Sequence, residues 1–185
     1  MDEILFNLIA SWPGLVARPD RALIEDSLVL LDFLPHGPLR VIDVGSGGGA
    51  PGIPLAHAFP EREVVLLEAG RRKCDFLERV APPNARVVWG RAEEQATDWA
   101  GVAVAKALAQ PPTAAEWCLP LVRPGGAVVL WVGPSAEPDR VGRVAERIAG
   151  ELDESPPGFL VIRKLGPTPP GFPRRPGVAK KRPLA

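Results

Sequence analysis

Tyrosine is absent from the 185-residue chain, cysteine and histidine each occur twice, and methionine occurs once. Cys74 and Cys118 lie far apart and make no spacing with His36 and His57, so neither a structural zinc site nor a disulfide framework is expected. Two free thiols fit a cytoplasmic protein. No apolar run approaches the ~20 residues of a membrane-spanning helix. The opening "MDEILFNLIASW" carries two acids where a secretory leader has a basic segment. There is no internal repeat, and no histidine–acid pair can be placed for general acid–base work.

What is present is proline, 23 residues of it, and 19 glycines. The length fits one domain with a substantial core. Acidic and basic residues balance at 22 each, but unevenly along the chain. From Pro156 onward there are seven basic residues and no acid, which leaves 15 basic and 22 acidic residues before it. An acidic body with a basic tail predicts that the tail, with Arg174, Arg175, Lys180, Lys181 and Arg182, meets any polyanion. A merely solubilising tail is the competing reading.

The middle of the chain alternates short apolar runs with helix-compatible segments. Strands are expected at 40–44, 63–67, 86–89, 102–105, 127–132 and 159–163, several of them apolar throughout, as in a parallel sheet covered on both faces. "GRRKCDFLERV" sets Cys74, Leu77 and Val80 on one helical face, and "DRVGRVAERIAG" sets Val141, Val144 and Ile148 on another, ending at Gly150. "TAAEW" offers Thr113 and Glu116 as a capping box, and "VRPGG" reads as a turn. The series is βαβ, hence an α/β three-layer fold. Three regions are expected: a helical segment over 1–35, a core over 36–165, and a proline-rich tail over 166–185 that runs extended.

The chemistry concentrates in "VIDVGSGGGAPGIPLA", with Asp43, Gly45, Gly47 and Gly49 spaced D-x-G-x-G-x-G. Such a turn after the first strand is the usual ligand cradle of a doubly wound fold. Gly45-x-Gly47-x-x-Ala50 also passes as a dinucleotide fingerprint, so the glycines alone leave the cofactor open. Asp43 is unwelcome beside a pyrophosphate but suits a cationic sulfonium. Pro51 lacks the N–H that a phosphate-binding helix start would offer. Glu68, ending the second strand, can accept from both ribose hydroxyls of either cofactor. Together these favour S-adenosylmethionine over NAD(P).

With those residues in view, "DVGSGGGAPGIPLA" resembles the motif of the bacterial 16S ribosomal RNA guanine-N7 methyltransferases, the GidB family. The continuation Pro51-Gly52-Ile53-Pro54-Leu55 is more specific than the glycines. "LIEDSLVLL", "GRAEE", "EWCLPLVRPGG", "FLVIRK" and "FPRRPGVAKKRPL" follow in the family's order, so the likeness covers most of the chain from about Ala22. It implies a Rossmann-like class I methyltransferase fold with a mostly parallel sheet of six or seven strands. The short span from Gly150 to Phe159 leaves little room for an antiparallel sixth strand. It also implies S-adenosylmethionine as cofactor and small-subunit ribosomal RNA, free or in the ribosomal subunit, as partner, with no metal and a monomeric state.

By the same resemblance, Gly45 and Ala50 contact the cofactor, Glu68 its ribose, and Ala92 and Glu93 border its adenine. Lys106 stands where the family has an arginine, Leu23 where it has a histidine, and Val132 where it has a lysine. A diverged methyltransferase of another RNA or of a small molecule, and a non-catalytic cofactor- or RNA-binding module, stay open as alternatives. "QPPT" at 110–113 looks like the box that holds an exocyclic amine, but it lacks the aromatic and reads as a loop into a helix. His57 and Cys118 are read as packing residues, and so are Trp89 and Trp131, with stacking on a base as the competing reading for the two tryptophans.

Overall fold

The structure is a computed structural model that describes residues 39–185. The expected helical segment 1–35, with Leu23, and His36 lie outside the described residues. The chain divides into two compact units, one reaching Gly90 and the other starting at Arg91.

In the first unit, β1 (Val41–Val44), β2 (Val64–Glu68) and β3 (Ala85–Trp89) lie in the order β3-β2-β1. Both pairings are parallel, with Val41 opposite Val64 and Glu68 opposite Trp89. Every residue of β1 and β2 is buried, as strands covered on both faces must be. β3 mixes half-buried positions with the exposed Arg86 and Trp89. α1 (Gly52–Ala58) and α2 (Arg71–Val80) connect the strands. From α2, Cys74, Phe76 and Leu77 enter the core, while Val80 at its end is only half-buried.

The second unit holds β4 (Ala100–Ala105), β5 (Val122–Trp131), β6 (Gly150–Leu152) and β7 (Phe159–Lys164), in the order β4-β5-β7-β6. β4 and β5 are parallel, and β7 is antiparallel to both β5 and β6. Among the described residues the strands therefore number seven, and the reversed strand is β7. The room for β6 comes from its brevity: three residues are enough to pair Gly150 with Lys164 and Leu152 with Ile162. Its helices are α3 (Pro111–Cys118), α4 (Pro138–Arg147) and α5 (Val178–Lys181).

Local expectations fail at three places, each for a visible reason. "VRPGG" lies inside β5: between the pairs Ala100–Val122 and Val102–Ala127 the register slips, and the extra residues bulge out. Gly126 is needed there because a Cβ would stand 2.3 Å from the carbonyl oxygen of Gly101. Thr113 caps nothing, since α3 already starts at Pro111 after Gln110. α4 stops at Arg147 rather than Gly150, with Ala149 taking the positive φ of 55° that turns the chain into β6.

The tail also departs from a simple extended strand. The Thr168 N–H reaches Asp98 at 3.1 Å, Arg174 forks onto Glu116, and the Gly177 N–H reaches Glu93 at 3.2 Å before α5 forms. Lys164 is buried, its Nζ donating to the Leu119 carbonyl at 3.0 Å and to Thr168 Oγ1 at 2.9 Å.

Candidate functional site

The glycine loop follows β1 directly. The N–H groups of Gly45 and Ser46 both donate to the Leu67 carbonyl, at 2.8 and 3.1 Å, which ties the loop to the end of β2. Ser46 Oγ turns back to the Asp43 carbonyl at 2.9 Å. Gly45, Gly47 and Gly49 all have positive φ.

Two glycines show different needs. A Cβ on Gly52 would stand 2.3 Å from Leu66 Cδ2 and 2.6 Å from Asp43 Oδ2, so packing forbids any side chain there. A Cβ on Gly47 would meet nothing nearer than the Gly45 carbonyl oxygen at 3.7 Å. Its φ of 55° calls for glycine, yet among the described residues no atom fills the space beside it.

Glu68 joins this loop to the end of β2. Its Oε2 accepts from the Gly47 N–H at 3.0 Å, and its Oε1 from the Gly70 N–H at 2.7 Å. The side chain is held on both oxygens, and each keeps a further acceptor site for a ligand hydroxyl. Cys74 Sγ lies beneath, 3.3 Å from the Glu68 carbonyl oxygen.

Asp43, at the head of the loop, is held by the chain that follows it. It is 1% exposed, and its Oδ2 accepts from the Gly52 N–H at 3.0 Å. Burial pushes its pKa up to about 7 against the pull of the Gly52 and Ser46 hydrogen bonds, and Glu68 adds repulsion. Asp43 is thus a positioning residue for the start of α1.

That start bears on the cofactor. Pro51 has no N–H, the Gly52 N–H goes to Asp43, and the Ile53 N–H goes to the Gly49 carbonyl at 2.6 Å. The two amides that would cradle a pyrophosphate there, those of Gly52 and Ile53, are thus occupied by a buried carboxylate and a carbonyl oxygen. With those amides taken, the start of α1 does not fit the pyrophosphate of a dinucleotide, while Glu68 and the space that the described residues leave at Gly47 fit S-adenosylmethionine.

In the second unit, Ala92 is buried in a 3-10 turn over Ala92–Glu94. Glu93 accepts from the Gly177 N–H at 3.2 Å, so the tail reaches the residue expected beside adenine. Lys106, just past β4, holds Nζ 5.9 Å from the centre of the Trp131 ring, which in turn packs on Phe159.

Among the tail cations, Arg175, Lys180, Lys181 and Arg182 are exposed. Arg174 is not available in the same way: its guanidinium pairs with Glu116, which is 3% exposed. Trp89 is 61% exposed rather than packed, its Nε1–H donating to the Ala69 carbonyl at 3.0 Å beneath the Arg71 guanidinium. His57 is exposed at the last turn of α1, and Cys118 is buried.

Sequence reasoning missed Ser46 and Gly70, and it missed the partners of Gly52 and Glu116, the latter read as half of a capping box. Ser46 and Gly52 sit inside the quoted motif, but the hydrogen bonds they make leave no mark on composition or period. Gly70 is signalled only by the glycine two residues after Glu68, and the partner of Glu116 by nothing local.

Residues 19–149 match the family profile of GidB, described as rRNA small subunit methyltransferase G. The chain is 38% identical over 181 residues to the Ribosomal RNA small subunit methyltransferase G of Pelotomaculum thermopropionicum, covering 86% of this chain and 76% of that one. It is 36% identical to the protein of the same name from Moorella thermoacetica, over 89% of this chain and 78% of that one. Among solved structures, the 16S rRNA N2 G1207 methyltransferase of T. thermophilus, in complex with AdoMet and guanosine, aligns with a TM-score of 0.58. That match has 17% identity and covers 80% of this chain and 40% of that one, a likeness of fold. The fold is therefore the Rossmann-like class I methyltransferase fold, and with a profile matched over residues 19–149 and relatives aligned over most of both lengths, the chain belongs to the GidB family, rRNA small subunit methyltransferase G.

Proposed function

We propose that this protein is an S-adenosylmethionine-dependent methyltransferase acting on N7 of a guanine in small-subunit ribosomal RNA, as a cytoplasmic monomer. The observation that carries the cofactor reading is the hold of Glu68 on the Gly47 and Gly70 amides, beside an α1 start whose amides are already occupied. Family membership supports the substrate class. Both cysteines are free, and among the described residues no helix is long and apolar enough to cross a membrane. Residues 36–165 form the methyltransferase core in this reading, and 166–185 a tail fastened to it.

Bound S-adenosylmethionine supplies an electrophilic methyl group on a cationic sulfur. Guanine N7 carries an in-plane lone pair, so nothing has to remove a proton before attack and no side chain acts as general base. The protein's work is orientation, which in well-aligned systems is worth roughly 7–11 kcal/mol of the barrier. Asp43 fixes the α1 start, and the loop of Gly45, Gly47, Gly49 and Ala50 lets backbone approach the ligand. Glu68 accepts from the ribose hydroxyls. Ala92 and Glu93 border the adenine, and Lys106 positions the acceptor. These last three rest on the family resemblance.

Arg175, Lys180, Lys181 and Arg182 present four exposed cations to the RNA backbone. Four phosphate contacts give a salt slope of about −3. The direct test is transfer from labelled S-adenosylmethionine to small-subunit RNA lacking its N7-methylguanine, with the product mapped by N7-directed strand cleavage. One stoichiometric guanine is expected. Absence of transfer to free RNA and to assembled subunits, in a protein that binds the cofactor, overturns the reading.

A further inference from the structure

The segment Gln110–Thr113, which the cofactor chemistry leaves unused, borders a cleft of about 450 Å³ in the second unit. Two of its walls follow the C-terminal ends of parallel strands: Gln110–Thr113 comes after β4, and Ser135–Glu137 comes after β5. Ligands of doubly wound folds bind beyond such strand ends. The third wall is the tail, through Lys180, Pro183 and Ala185. Arg140 holds that wall in place, donating from Nη2 to the Ala185 carbonyl at 2.8 Å and from Nη1 to Glu137 at 2.9 Å. The Arg174–Glu116 pair fixes the chain that leads to it.

The lining selects a class of ligand. Pro111 and Pro183 offer apolar faces, and Pro112, also in the lining, is buried. Gln110 brings an amide that both donates and accepts, and it makes no cap bond to α3. Lys180 adds a cation, while the carboxylate in the lining, Glu137, is already paired with Arg140. A flat, hydrogen-bonding ligand with negative charge suits these walls, and the volume lies in the range that takes one small molecule. Ala92, Glu93 and Lys106 do not line the cleft.

We infer that this cleft seats one nucleotide of the substrate RNA next to the methylated guanosine, its base against the proline faces and Gln110 and its phosphate at Lys180. This rests on the RNA methyltransferase reading above. The cleft gives the enzyme a means of recognising single-stranded sequence around its target, since a splayed-out base is what such a pocket can read.

The test uses the full chain and RNA fragments carrying the target, each with one abasic nucleotide placed in turn at the three positions on either side. Binding is measured by anisotropy of labelled RNA with S-adenosylmethionine present, and methyl transfer is followed on the same fragments. Ala136→Trp fills the cleft, and the Ala136 N–H, bonded to the Gly133 carbonyl at 3.0 Å, leaves the turn itself in place. The expected result is one flanking position where loss of the base weakens wild-type binding about tenfold. Ala136→Trp should cost the intact RNA a similar factor, with no further loss at that position and unchanged cofactor affinity. Gln110→Ala, at an exposed position without a cap bond, carries the same comparison if the tryptophan variant does not fold. Variants that bind intact RNA like wild type, or abasic penalties that add in full to theirs at every position, overturn the inference. Wild type showing the single sensitive position without any methyl transfer leaves the cleft standing and overturns the proposed reaction.

Discussion

Arg174 lays its guanidinium against the carboxylate of Glu116, 58 residues earlier, with Nε and Nη2 at 2.5 and 2.6 Å from the two oxygens. Glu116 is 3% exposed and sits in the last turn of α3, so without Arg174 it would be a buried, uncompensated charge. The tail is thereby part of the folded second unit as well as a carrier of cations.

Arg174→Ala should therefore destabilise the protein by about 3–5 kcal/mol, the cost of breaking a buried pair from one side. Urea denaturation measures it directly. The double variant Arg174→Met/Glu116→Leu should lose less than Arg174→Ala, because no charge is left behind. An equal loss in the two would show that packing, not charge, holds the tail.

Asp43 predicts a pH dependence. Its pKa rises from 3.8 unfolded to about 7 folded, so between those values the folded state binds the extra proton. Stability contributed by this group is present below about pH 4 and is lost as pH rises through 7, with a slope of at most about 1.4 kcal/mol for each pH unit. Asp43→Asn keeps an oxygen for the Gly52 N–H and removes the titration. Melting temperatures across pH 4–8 should accordingly fall less steeply in the variant than in wild type.

The two glycines of the loop separate binding from folding. Gly47→Val puts a side chain into space that the described residues leave open, at a cost to folding of roughly 1–2 kcal/mol for the left-handed backbone. It should fold and lose cofactor binding in calorimetry. Gly52→Val meets Leu66 and Asp43 and should fail to fold by circular dichroism. A Gly47→Val protein that binds normally would place the cofactor elsewhere.

These contrasts bear on what could be read before any coordinates. β1, β2 and β4 were legible because burial on both faces makes them apolar at nearly every position. The front of β5 was hidden by "VRPGG", whose turn residues make a bulge, and β6 is too short to carry a period. Thr113 and Glu116 have the spacing of a capping box, yet the partner that claims Glu116 lies in the tail. Asp43 and Glu68 were found by position, but their bonds to Gly52, Gly47 and Gly70 are tertiary facts with no local pattern. Trp89 looked like core and is exposed because it ends β3, whose neighbours leave it open.

The same anchoring changes what a tail experiment means. Deleting 174–185 removes the exposed cations, but it also strips Glu116 of Arg174 and Glu93 of the Gly177 N–H, so stability and cofactor affinity should fall together with RNA affinity. The triple change Arg175→Gln/Lys181→Gln/Arg182→Gln isolates the charges. Arg182 serves the fold through its carbonyl, which accepts from Arg174 at 2.9 Å, and glutamine retains that group. The triple variant should melt like wild type and bind S-adenosylmethionine equally well. Its RNA affinity should drop with a salt slope shallower by about 2, or roughly 0.7 for each single-strand phosphate no longer neutralised. Titrations of RNA at several salt concentrations measure that slope. A slope equal to that of wild type would mean that these three residues meet no phosphate and that the tail serves the fold alone.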